Sequence, residues 1–424
     1  MSTSATSRSA YVRISTCLFL YYFSWSISWS FLAIWLGDSI GFTSTQIGYT
    51  LSVNALFALM IKPVFGFIMD KLGINKSLLI GVALASIFAA PFFIYVYQTL
   101  LQTHMVLGVI CGGLYLGTAY LAGVLVFESY ADRYSRAFNF EFGRVRMWGS
   151  LGWAIASIFS GKLFNINPHI NFTITSLVAV LVLLTLFTLK TQGEGINWQA
   201  IDEAKKEKVN GKDVKSLFRH ASFWVLMLFY GGIIWMMQSA EQQFPRYFVT
   251  FFPTHQDGNS MLGYMGFVQS ACEFVLMFTI PFMINRIGAR NGLLLAGFVI
   301  GLRLVVSGLA TQPWMIIIIK PFYGLEMALL LVSIFKFLAM YFDKRLTGTI
   351  YMVLGCFNYL GITAINPVAG YFYDKHGFAT TYIVMGCIAW LITLVGIKFL
   401  GRQSNTRHGM QLTVNELRQA AEKK

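Results

Sequence analysis

The chain has 424 residues, of which 56% are hydrophobic, 16% aromatic and only 12% charged, with a mean hydropathy of +0.62. A soluble domain carries about 25% charged residues and could not hide this much apolar surface, so lipid is the expected solvent. The formal charge of +14 suits a nucleic-acid binder only if the basic residues form one soluble patch, and here they are spread along the chain.

The first ten residues are polar, and the apolar stretch behind them is too long for a cleavable signal peptide, so it reads as a first spanning helix. Twelve apolar segments of helical length follow in order: 14–36, 46–69, 77–98, 105–128, 143–163, 171–189, 222–248, 261–284, 292–311, 314–341, 347–371 and 379–400. Most connections are short. The exception is the charged stretch 190–220, which separates six segments from six. The expected fold is an all-α membrane protein of two six-helix bundles. Its parts are an N-terminal bundle (1–189), a cytoplasmic central loop (190–220), a C-terminal bundle (221–400) and a cytoplasmic tail (401–424). Of the 32 Lys and Arg, 26 fall in or beside the tails and even-numbered connections. Lys162, Arg246 and Lys375 fall on the other side, and Lys62, Arg303 and Lys320 within the spans. That bias predicts both termini in the cytoplasm.

In the second segment Lys62 stands beside Pro63, either facing a pore or snorkelling to the interface. The loop that follows reads PVFGFIMDKLGINK, with Gly66, Asp70, Lys71, Gly73 and Lys76. Glycines permit a tight turn and close helix approach, and the aspartate can accept hydrogen bonds from a neighbouring helix end. A related loop, NRIGARN, follows the eighth segment, with Asn285 lying 215 residues after Asp70. The halves are therefore an internal repeat. The loop resembles the signature of the major facilitator superfamily, in which two related six-helix halves enclose a site between them.

The fourth segment ends near Glu128, and the fifth carries Arg146 and, seven residues on, Trp153 on the same face. A guanidinium and a carboxylate suit sugar hydroxyls, and an indole stacks on a sugar ring, so these three form a candidate carbohydrate site. The plainer readings are a positive-inside anchor for Arg146 and lipid or core packing for Trp153. Hydropathy alone places Glu128 near the membrane interface.

All five cysteines lie inside predicted helices and imply no disulfide, and all six histidines lie in loops, at helix ends or in tails. No metal site or histidine relay is expected in the membrane. The ionisable residues within the spans are Lys62, Glu241, Glu273, Arg303, Lys320 and Glu326, with Glu128, Arg146 and Lys336 nearer the ends. Charge at such depth costs about 2.5–3.5 kcal/mol on insertion scales. At 1.5 Å rise per residue, Glu273, Arg303 and Glu326 all sit near the midplane and are expected to share a cavity. Arg303 with one carboxylate could be a fixed structural pair. The third charge would then stay unpaired, which favours a protonatable site. Lys320, Tyr323 and Glu326 follow at i, i+3 and i+6 on one drifting stripe, and Pro321 is expected to kink that helix.

Several stretches are similar to the lactose permease type of oligosaccharide–proton symporters: NFEFGRVRMWGSLGWA, AIWLGDSIGF, GGLYLGTAYLAG, INRIGARNGLLLAG, FDKRLTGTIY and GLEMALLLVSIFKF. The similarity runs from about residue 11 to 400. It implies sugar binding by Glu128 and Arg146 with Trp153 stacking, proton translocation by Glu326 with Arg303 as partner, and a part for Lys320. Tyr323 stands where most of the family has histidine. Glu273, with Ser270 where lactose-type members have glutamate, resembles the sucrose-permease branch, as do SWSISWS and INPHINF. Glu241-Gln242-Gln243-Phe244 takes the place of the family's DQQF, with Gln238 replacing the aspartate three residues earlier. The resemblance implies a monomeric, multi-pass protein of the bacterial inner membrane. It would import a disaccharide such as sucrose with a proton, driven by the gradient without a cofactor. A lactose-, melibiose- or raffinose-type symporter, an uncoupled facilitator, an organic-ion exporter and an intramembrane enzyme are the rivals. The last would need a catalytic dyad or metal cluster that the histidine placement does not offer.

Overall fold

A computed structural model describes residues 2–72, 75–189, 217–342 and 347–400. The expected central loop up to residue 216, the tail and Gly73 lie outside the described residues. Each of the twelve expected segments falls on a helix, and no strand occurs among the described residues.

Helix α1 (Ser2–Trp29) continues through Leu32–Ile34 and a wide turn at Trp35–Ser39; α2 is Ser44–Leu72. Helix α3 begins at Ser77–Ile87 and runs on to Thr103 after a 46° bend. Helix α4 joins Met105–Leu116 to Gly123–Ala137 through a wide turn at Gly117–Leu121. Then follow α5 (Phe142–Ile166), α6 (Pro168–Thr188), α7 (Ala221–Val249), α8 (His255–Ile287) and α9 (Ala289–Leu309). Helix α10 is broken into Pro313–Ile319 and Phe322–Tyr341, as Pro321 predicts, because proline lacks the N–H and crowds the preceding turn. Thr347–Phe399 is divided by the positive φ of Gly377 (76°) into α11 (347–376) and α12 (378–399).

Nine helical stretches among the described residues, with 349–399 counted as one, are long and apolar enough to cross a membrane, or ten if the bent α3 is one span. They overrun the hydropathy-based limits, because a spanning helix continues into the interface where its charges are solvated. Helix α4 shows the consequence: it runs nine residues past Glu128, which stands inside the helix rather than near its end.

The internal repeat is visible in side-chain contacts. Asp70 accepts from Arg133 Nη2 at 2.7 Å, and the related Asn285 accepts from Lys336 Nζ at 2.6 Å. Lys76 at the start of α3 donates to the carbonyls of Leu186 (2.8 Å) and Leu189 (3.2 Å) at the end of α6. Arg290 at the start of α9 does the same to Leu400 (2.7 Å) and Ile397 at the end of α12. Each basic group satisfies carbonyls that a helix terminus leaves unpaired. Gly288, with φ 85°, makes the tight turn before α9. Gly66 corrects the expectation for the loop glycines: it lies within α2, and nothing stands within 4 Å of where a Cβ would be. It therefore serves neither a turn nor a close approach. Lys71 lies over the Phe67 ring at 4.3 Å.

One apolar cluster draws its buried residues from 217–400 alone. Two others draw on residues 10–189, joined by Val249. At the face carrying the α1–α2, α5–α6, α7–α8 and α11–α12 turns, the two sets are fastened. Asp374 accepts from the backbone N–H of Ser44 (2.8 Å) and Thr45 (2.8 Å) and from the Thr45 hydroxyl (2.6 Å). Arg246 donates to Ser44 Oγ at 2.9 Å and Gln243 to the Ser44 carbonyl at 3.0 Å. Across α5 and α8, Asn165 donates to the Gln256 carbonyl (2.7 Å) and accepts from Asn259 (2.9 Å). A Cβ on Gly263 would lie 2.5 Å from the Ser157 carbonyl, so only glycine permits that crossing.

Candidate functional site

The fastened face closes one end of a cavity of about 870 Å³ between the two sets of helices. Its wall runs from Ser30 and Leu51 near the closed end to Phe142, Gly143 and Phe278 towards the opposite face. Helices α1 and α5 supply one side, and α7, α8 and α10 the other.

On the α5 side Arg146 and Trp153 both line the cavity, as their seven-residue spacing predicts. Arg146 Nε donates to Glu128 Oε1 at 2.5 Å and its Nη1 to Ser150 Oγ at 3.0 Å. Tyr22 donates its hydroxyl to the same Glu128 oxygen, and its ring lies 4.5 Å beneath the guanidinium. Glu128 is not itself in the wall and reaches it through Arg146 and Tyr22, both of which are. The pair is part-exposed, 35% for Arg146 and 32% for Glu128, so it can exchange partners with a polar ligand. Trp153 stands edge-on to Trp25 at 5.2 Å, and its carbonyl accepts from Ser26 at 3.0 Å. Those contacts hold the indole in the cavity wall beside a charged fork.

Glu273 faces them from α8, half-buried in the same cavity and without an ion pair among the described residues. The backbone beside it is pressed against α10. A Cβ on Gly324 would lie 2.7 Å from Glu273 N and 3.0 Å from its Cα.

Behind this wall the remaining charges form a chain. Arg303 Nε donates to Glu326 Oε1 at 2.6 Å, with the two side chains 1% and 0% exposed. Arg303 Nη1 lies 3.9 Å from Glu241 Oε2, and Glu241 Oε1 accepts from Lys320. Two carboxylates and two cations make the group neutral when all are ionised, which offsets the cost of burial. Tyr323 lies under the Arg303 guanidinium at 5.5 Å and under Lys320 at 5.3 Å. Lys320, Tyr323 and Glu241 line the cavity, whereas Arg303 and Glu326 do not. The expectation that Glu273, Arg303 and Glu326 share one cavity is thus corrected. Equal depth fixed their height, but the helix faces carrying Arg303 and Glu326 turn inward, and Glu273 stands across the cavity wall.

Glu326 Oε2, Glu241 Oε2 and Arg303 Nη2 are buried without hydrogen-bond partners. Unpaired buried polar atoms are costly and mark sites that hold something else or change partners. Here one oxygen of Glu326 and one of Glu241 accept no hydrogen bond, and the Glu241 oxygen lies 3.9 Å from the Arg303 guanidinium.

Sequence reasoning singled out Glu241 as an intramembrane charge but not as the link between Lys320 and Arg303, because its partner lies 79 residues away. Tyr22 was missed: one tyrosine among 20 carries no signal until α1 is seen against α4 and α5. Lys62 donates to the Tyr359 hydroxyl of α11 at 2.6 Å and lies outside the cavity wall. No group of His, Cys, Asp and Glu able to hold a metal occurs among the described residues.

The LacY proton/sugar symporter family model matches residues 3–411. This chain belongs to that family. It is a multi-pass membrane transporter and not an enzyme. Among its relatives is a sucrose permease of Escherichia coli, 34% identical over 399 residues, which cover 93% of this chain and 95% of that one. A raffinose permease of Escherichia coli is 36% identical over 337 residues, 79% of each chain. The crystal structure of the nucleoside transporter NupG superposes with a TM-score of 0.77 at 15% identity, covering 93% of this chain and 99% of that one. At that identity the likeness shows the fold, two pseudo-symmetric helical bundles, and nothing of the substrate.

Proposed function

We propose that this transporter imports a disaccharide, of the sucrose type, together with a proton across the bacterial inner membrane by alternating access. The observation that carries the reading is the pairing of a site in the cavity with an ion-pair chain that starts at its wall and runs behind it. An indole with a guanidinium–carboxylate fork stands on the α5 side, and a buried, neutralised ion-pair chain begins at the opposite wall. The first suits a sugar ring and its hydroxyls. The second can take up and release a proton without exposing bare charge to lipid.

In this mechanism Arg146 and Glu128 bind the hydroxyls of one ring and Trp153 stacks on it, while Glu273 reaches the ligand from the other half. Proton uptake by Glu326 weakens its hold on Arg303, which turns to Glu241. Lys320 then loses part of its partner at the cavity wall, where the sugar lies. That exchange links proton to sugar with no cofactor. Tyr323 stays neutral near pH 7 and can donate a hydrogen bond but carries no proton charge. With both termini cytoplasmic, the cavity described here opens inward and the Asp374–Ser44 end is periplasmic. Residues 1–189 and 221–400 act as the two rocking bundles, 190–220 and 401–424 lie in the cytoplasm, and one chain suffices. The motif residues Asp70, Lys71, Gly73 and Lys76 would act in the conformational change, with the Asp70–Arg133 bond among the contacts there.

The assignment to sucrose rests on Glu273 together with Ser270 and is supported by the sucrose permease relative. A galactoside substrate is the second reading, supported by the raffinose permease relative. Uptake of labelled sucrose, raffinose, melibiose and lactose, with and without an uncoupler, tests both. Uncoupler-sensitive accumulation of sucrose is the expected result. Accumulation of lactose without sucrose would overturn the sugar assignment.

A further inference from the structure

The wall opposite Arg146 and Trp153 carries two glutamines one helical turn apart on α7, Gln238 and Gln242. Each is clamped by an asparagine of α11. Asn358 Nδ2 donates to Gln238 Oε1 at 3.1 Å, and Asn366 Nδ2 donates to Gln242 Oε1 at 2.7 Å. With their oxygens occupied, both glutamines leave the amide nitrogen to the cavity. Neither Nε2 has a protein partner among the described residues. Asn366 is 2% exposed, and with the Oδ1 atoms of both asparagines buried and unpaired, each asparagine holds its glutamine through the amide nitrogen alone. Rotating either clamp would bury an NH2 group without an acceptor instead, the costlier arrangement.

The two free NH2 groups lie about 6 Å apart along the helix, from four residues at 1.5 Å rise. That is the scale of one sugar ring. They are donors only, so they select acceptor oxygens on the ligand. They stand in a cavity larger than a single ring bound at Arg146 and Trp153 would fill.

We infer that Gln238 and Gln242 are specificity-determining residues that bind the second ring of the glycoside through their amide N–H groups, and that Asn358 and Asn366 are the positioning residues that aim them. The inference rests on the sugar reading above and extends it. A ligand with one ring would engage the α5 side only. A disaccharide would bridge both halves of the carrier, and its second ring would be recognised through ring or glycosidic oxygens and hydroxyl lone pairs.

The test compares apparent KM for sucrose and for methyl α-glucoside in Gln238→Leu, Gln242→Leu, Asn358→Leu and Asn366→Leu. Loss of one neutral hydrogen bond predicts a sucrose-to-glucoside KM ratio raised about three- to tenfold in each. A double substitution within one clamp, Gln242→Leu with Asn366→Leu, should cost no more than the worse single one. The wild type should also discriminate against sucrose deoxygenated on its fructosyl ring, and Gln242→Leu should lose part of that discrimination, which a merely structural role would not produce. Where a leucine variant fails to insert, Gln→Met at the same position keeps the length and serves instead. Unchanged ratios with transport intact would overturn this inference alone. Absence of any sugar transport in the wild type would overturn it together with the reading on which it rests.

Discussion

Glu326→Gln is the sharpest perturbation, because it removes one charge and keeps the shape. Taking one partner from a buried ion pair costs about 3–5 kcal/mol when the other charge is left bare. Here Arg303 is not left bare. The substituted amide oxygen can still accept at the 2.6 Å position of Glu326 Oε1, and Glu241 Oε2 stands 3.9 Å away with no other partner. The cost then falls to that of a weakened charge-assisted bond, about 1.5–3 kcal/mol, and the protein should insert and fold. The functional cost is of another kind. One proton moving through 100 mV supplies about 2.3 kcal/mol, enough to concentrate a co-transported sugar roughly 50-fold. A site that cannot release its proton cannot use that energy. In membrane vesicles the variant should exchange labelled sucrose at equilibrium yet reach an inside-to-outside ratio of about one, where the wild type follows the gradient. Uphill accumulation in Glu326→Gln, with sugar-driven alkalinisation intact, would refute the reasoning and move the proton to Glu273.

Arg146→Lys and Glu128→Gln should each weaken sugar binding by at least about tenfold, since a charged hydrogen bond is worth about 1.5–3 kcal/mol. Trp153→Phe should weaken it less, because a smaller ring still stacks; substrate protection of a cavity cysteine against alkylation reads all three. Gly324→Ala should lower thermal stability by about 1–3 kcal/mol, because its Cβ would meet the Glu273 backbone at 2.7–3.0 Å and neither helix can give. At Asp374, outside the spans, burial pushes the carboxyl up, but the Thr45 hydroxyl and the Thr45 and Ser44 amides outweigh it and hold it below its usual range. A depressed carboxyl stabilises the closed end above the ordinary Asp range, and that stabilisation is lost as pH falls through the lower folded value. Asp374→Asn should therefore mimic acid at neutral pH and speed maleimide labelling of Ser30→Cys from that side; no change in labelling rate would mean that this contact does not hold the end closed.

That each of the twelve apolar segments falls on a helix was legible because apolar runs of some 20 residues have few other uses. Pro321 announced the break in α10, and the Asp70–Asn285 spacing announced the repeat that appears as Arg133 and Lys336 contacts. The grouping of Glu128 with Arg146 was within reach, since α4 and α5 follow one another through a short connection and put both residues on neighbouring helices. What the chain did not disclose was which way each helix turns. Glu273 and Glu326 stand at similar depth, yet one faces the cavity and the other is sealed at 0% exposure behind Tyr323. Periodicity in a helix surrounded by lipid and protein alike does not distinguish those faces. The amide clamps on Gln238 and Gln242 were equally hidden, because their partners come from α11, more than 100 residues away.

The central claim is that sugar and proton move together through this one carrier. The most direct measurement is the external pH of lightly buffered, de-energised cells on addition of sucrose. The account predicts prompt alkalinisation of the medium, abolished by an uncoupler and absent in Glu326→Gln. Sucrose entry with no change in external pH would contradict it and leave a facilitator in its place.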